Sequence, residues 1–204
     1  MIKKGADYDQ TTGFGQSDFK PLPKGGYVCR LILAEEMKSS SGKPMLHIAF
    51  DIIEGDYKNY FMDLYQARKK RNTDPLKTIK YPFEGQAWIP LNDYEDPTKT
   101  SRKFKGFCTA VEESGTEIWN LNGELDLDRV KGAEVGIVYQ LVEQEYNGES
   151  SWRALPWGFR SIEVIASGDY YVPDDKPLPA TYNTGFEPTT NADSFNAAMD
   201  DIPF

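Results

Sequence analysis

The chain holds two cysteines and one histidine in 204 residues. Two cysteines cannot build a disulfide framework. Cys29 and Cys108 also lack the spacing of a zinc site. Each falls in an apolar run, so buried free thiols are expected. With His47 as the sole histidine, a Ser/His/Asp or Cys/His catalytic set has nothing else to draw on. The alternation around His47 places it on the outer face of its strand. No run approaches ~18 consecutive apolar residues, so no membrane span is expected. Met1 to Asp7 shows no apolar core of a secretory signal, and a reducing cytoplasm is the expected compartment. Gly13-Phe14-Gly15 lacks the helix and lysine of a phosphate loop. No catalytic residue, metal or cofactor is expected.

What is present is charge, unevenly placed. The formal net charge is −9, which as an average argues against a phosphate-bearing partner. From Gly168 to Phe204, however, there are seven acids and one base, a segment of −6. Residues 68–80 hold Arg68, Lys69, Lys70, Arg71, Lys77 and Lys80 against Asp74 alone, a window of +5. Arg102, Lys103 and Lys105 form a second basic knot. The expected chain is thus a near-neutral body with a basic patch and an acidic tail.

Composition divides the chain in three. Residues 1–24 read as a loosely ordered arm. Residues 25–170 carry the periodic apolar patterns of one domain. From residue 171 the chain is rich in Pro, Thr, Asn and Asp, and 172–204 cannot bury enough surface to offset its ordering entropy. That tail is expected to be disordered.

The body reads as mainly β. Tyr27, Cys29, Leu31 and Leu33 share one face of a first strand. Leu46, Ile48, Phe50 and Ile52 alternate in a second. A further extended stretch is expected within Tyr57–Gln66, and a short strand at Gln86–Pro90. Ser101 caps a helix over 101–114, with Phe104, Phe107, Cys108 and Val111 on one stripe and Gly115 beyond its end. Val135, Ile137, Tyr139 and Leu141 lead into an Asn147-Gly148 hairpin turn and a returning strand, Trp152 to Ile165. Three strands, one helix and two strands make the element order of a five-stranded OB-fold barrel, here with a basic insertion before the helix.

Cations beside aromatic rings are what a single nucleic-acid strand needs, for phosphates and unstacked bases. Arg68, Lys69, Lys70, Arg71, Lys77, Lys80 and Lys103 lie near Tyr65, Tyr81, Phe83, Trp88 and Phe104. A second interleaving joins Trp152 and Arg153 to Trp157, Phe159 and Arg160. The chain ends Asp200-Asp201-Ile202-Pro203-Phe204. Two carboxylates, two apolar side chains and a terminal carboxylate suit linear-motif capture by a partner.

That ending, after a Pro-rich acidic linker, resembles the partner-recruiting tip of bacterial-type single-stranded-DNA-binding proteins. The body resembles the single-stranded-DNA-binding proteins of tailed phages at Gly25–Val28, Lys38–Leu46, Gly55–Asn59, Leu127-Asp128 and Val130–Val135. The resemblance implies an OB-fold, sequence-tolerant binding of single strands, and docking of replication, recombination or repair proteins onto the tip. It implies a phage protein acting in the bacterial host's cytoplasm. The alternatives are a metal-dependent nuclease using Asp51, Asp56 and Lys58, a recombination mediator, and an adaptor that uses the tail alone. The sequence leaves homo-oligomerisation open.

Overall fold

A computed structural model describes residues 20–179. Its centre is one five-stranded antiparallel sheet in the order β3-β2-β1-β4-β5. The strands are β1 (Gly25–Lys38), β2 (Pro44–Ile52), β3 (Gln86–Pro90), β4 (Glu134–Tyr146) and β5 (Glu149–Arg160). Helix α1 (Tyr60–Arg71) lies between β2 and β3. Helices α2 (Arg102–Glu113) and α3 (Leu127–Val130) lie between β3 and β4, and α4 (Ile162–Ser167) follows β5. The expected barrel closure is not found, because β3 and β5 are the two ends of the sheet.

β1 is the spine. Its first half pairs with β4 and its second half with β2. The register slips between Leu31 and Leu33, so Ile32 is an extra residue. A bulge bends a strand and changes which side chains face in. Cys29 and Leu31 are buried, but beyond the bulge Ala34, rather than Leu33, packs on the core. The alternation expected for β2 is present, with Leu46, Ile48, Phe50 and Ile52 fully buried. Ala49 and Asp51, on the other face, are buried too.

Asp51 explains the largest difference from the sequence reading. Residues 60–71 form a helix where an extended stretch was expected. Asp51 Oδ1 accepts from the Phe61 backbone N–H and Oδ2 from that of Met62. These are orphan donors of the first helical turn, and a carboxylate there also favours the helix dipole. Only Phe61 of this helix is buried, so no apolar stripe announced it. Arg68, Lys69, Lys70 and Arg71 occupy its last turn, where cations complement the dipole.

α2 agrees with expectation. Ser101 accepts from the backbone N–H groups of Lys103 and Phe104, and Phe107, Cys108 and Val111 are buried. Gly115 follows at φ +93. Asn147 and Gly148 have φ of 53 and 79, the two positive values of a type I′ hairpin.

The ends of the described chain are tied to the sheet. Leu22 is buried in the core. Lys176, within the segment expected to lack structure, bridges Val142 in parallel, and its carbonyl accepts from Glu143 N–H. Lys24 and Asp175 pair at 2.6 Å. The remainder of the expected tail, including Asp200–Phe204, lies outside the described residues. Among the described residues, no helix is long and apolar enough to cross a membrane.

Candidate nucleic-acid interface

A groove of about 1950 Å³ opens beside β3. One wall is the β1–β2 turn, with Lys38 and Lys43. The end of α1 and the loop after it also line the groove, with Arg68, Arg71, Lys77 and Lys80, as does the start of α2, with Arg102 and Lys103. Among the described residues, eight basic side chains therefore line the groove against two acids, Asp74 and Asp93. Both acids are committed to their own loops: Asp74 accepts from Leu76 N–H, and Asp93 from Glu95 and Asp96 N–H. The basic residues outnumber the acids, and such an excess focuses attraction for an anionic chain.

Four rings share this surface: Tyr81, Phe83, Trp88 and Tyr94. Two rings stack on Trp88. His47, its cross-strand partner, stacks on it at 4.9 Å with planes 10° apart. Phe83 stacks at 5.2 Å and 23°. His47 is further held by Glu35 and Gln86, each at 2.8 Å. Its side chain is only 12% exposed, so it is covered rather than on an open outer face. Tyr81 donates its hydroxyl to the Phe50 carbonyl, and burial pushes its phenol well above the ordinary value. Tyr94 is exposed, with Lys43 Nζ 4.4 Å from its ring centre.

Asn72 also pins the loop carrying Lys77. Asn72 Nδ2 donates to the carbonyls of Asp74 and Lys77, and its Oδ1 accepts from Asp74 N–H. Such side-chain-to-backbone bonds hold a turn without regular structure.

A second cleft of about 250 Å³ adjoins the first and shares Phe83, Gln86, Trp88, Arg102 and Lys103 with it. It lies between β3 and β5 and is floored by α2, with Trp157, Phe159, Arg160 and Gly106 in its walls. Trp157 is the extra residue where β5 slips register against β4. Arg160 lies 5.8 Å from the Trp157 ring centre. Burial lowers the Lys103 ammonium to about 7.

The structure thus gathers Arg68, Arg71, Lys77, Lys80, Tyr81, Trp88 and Lys103 in one groove, and Trp157 and Arg160 in the adjoining cleft. Tyr65, Lys69, Lys70, Trp152 and Arg153 do not line either. Tyr65 packs on Tyr81 and carries Lys69 over its ring. Arg153 pairs with Glu84 at 3.1 Å, and Trp152 is exposed on the β4–β5 hairpin. Lys38, Lys43 and Tyr94 were missed; the lysines flanking Ser39–Gly42 were the available signal.

Asp51 has a structural task. Besides the α1 donors, it accepts from Ile52 N–H, giving three backbone bonds to one buried carboxylate. Among the described residues, no group of three His, Cys, Asp or Glu side chains could hold a metal ion. Both cysteines are buried free thiols, and burial pushes Cys108 up to about 12. No family model matches the chain, and no curated protein matches it.

Proposed function

We propose that this chain binds single-stranded DNA without strong sequence preference, and protects it during phage replication, recombination or repair. The carrying observation is the groove's excess of basic side chains, eight against two acids among the described residues, beside four aromatic rings. Cations would neutralise phosphates while the exposed Tyr94 ring accepts an unstacked base, and neither contact reads a particular base. The strand order, with α2 between β3 and β4, supports an OB-type arrangement left open between β3 and β5. In this reading Asp200–Phe204 recruits replication or recombination proteins, and the protein works in the host bacterial cytoplasm.

A tryptophan-fluorescence titration with oligo-dT at several salt concentrations tests it. Quenching that weakens as salt rises is expected; no quenching and no salt-dependent binding sinks the reading. Removing Ile202–Phe204 leaves DNA affinity unchanged or slightly higher and abolishes retention of partner proteins. Collapse of DNA binding instead would contradict that division of labour.

A further inference from the structure

The cleft between β3 and β5 has a feature the fold does not require. Gly106 sits in the middle of α2, where glycine costs stability relative to alanine. A Cβ built there meets nothing within 4 Å, so close packing does not explain the glycine. Its missing side chain leaves the α2 wall of the cleft open.

The walls that remain have one character. Phe83, Trp88, Trp157 and Phe159 supply aromatic surface, and Arg102, Lys103 and Arg160 supply positive charge. Among the described residues, no acid lines the cleft. The two strands at its sides form no ladder with each other. At about 250 Å³ the cleft falls just below the ~300 Å³ at which pockets for whole small molecules begin. That room suits a flat ring better than a complete ligand. It opens into the basic groove through Trp88, Arg102 and Lys103, which line both.

We propose that this cleft is a second subsite for the same strand, taking one unstacked nucleobase between β3 and β5 with its phosphate toward Arg102, Lys103 and Arg160. The proposal rests on the single-strand reading of the main groove. It adds a path: the strand turns from the groove into the open seam of the sheet, where Trp157 meets the base. The other occupant such a seam could take is a strand from a second copy, since unpaired strand edges invite pairing.

Fluorescence anisotropy with end-labelled oligo-dT of increasing length tests the path. Wild-type affinity is expected to step up once the oligonucleotide is long enough to reach the seam. Gly106→Leu, which fills the cleft, and Trp157→Ala, which removes the ring, should each abolish that step. The expected loss is roughly tenfold for long oligonucleotides, the worth of one stacked base. The shortest oligonucleotide that binds should be unaffected, and Gly106→Ala should bind DNA as wild type does. Thermal melts of all variants report folding, so Trp157→Ala keeps the test decisive if Gly106→Leu misfolds. Wild-type binding with both variants equal to it at every length overturns the subsite alone. Failure of the wild type to bind any length overturns the groove reading and the subsite together. A change of sedimentation in Gly106→Leu, with DNA affinity unchanged, assigns the seam to a second copy and overturns the proposal.

Discussion

His47 and Trp88 face each other across β2 and β3 as a parallel stack, 4.9 Å between ring centres. The histidine is the support, fastened by Glu35 and Gln86, and the tryptophan is the ring that lines both groove and cleft. Removing the support should free the ring. His47→Ala is expected to cost about 1 kcal/mol of stability through the lost stack and hydrogen bonds. It should also broaden tryptophan emission and weaken oligo-dT binding several-fold. Urea denaturation and the fluorescence titration check both; unchanged emission and affinity would mean Trp88 is held by Phe83 alone.

Asp51 links the sheet to the basic wall. Asp51→Ala leaves the first-turn donors of α1 without their carboxylate, and the expected cost is about 2 kcal/mol. Because Arg68 and Arg71 lie at the other end of that helix, DNA affinity should fall as well. Circular dichroism melts and anisotropy should report both losses. A variant that binds and melts like wild type would show that the capping contact does not position the helix.

Gly106→Ala should stabilise the protein by about 1 kcal/mol, since alanine suits a helix interior and its Cβ has open space. A lowered melting temperature would reveal a contact absent from this account.

Lys103 gives a pH dependence with a definite sign. Its ammonium is lowered to about 7 by burial, whereas an unfolded lysine keeps its proton to 10.5. Between these values the unfolded chain binds more protons, so stability should rise as pH climbs from 7 to 10. Below pH 7 both states are charged and this contribution is flat. Lys103→Met should remove the slope, as urea midpoints at pH 6, 8 and 10 would show. DNA phosphate would restore the proton, so affinity should fall over the same alkaline range.

Much of the sheet was legible because alternation is a local signal. Leu46, Ile48, Phe50 and Ile52 declared one buried face, and Asn147-Gly148 declared its turn. α2 was legible from its Ser101 cap and apolar stripe. α1 was not, because a helix burying only Phe61 has no stripe to read, and its cap comes from Asp51, ten residues away from Phe61. Composition identified the basic window but not its neighbours. Lys43 reaches Tyr94 only because the β1–β2 turn and the loop after β3 meet in space. The seam was invisible for the same reason: Gly106 and Trp157 are far apart in the chain and line one cleft only through the topology of α2 and β5.

The central claim is that the basic groove holds phosphates, and salt dependence measures that most directly. For single strands, the slope of log K against log salt is ~0.7 per phosphate neutralised. Wild type should show a steep negative slope. Arg71→Ala combined with Lys80→Ala should make it shallower by about 1.4 if each side chain meets one phosphate. Absence of binding, or a slope that the double substitution leaves unchanged, would contradict the account.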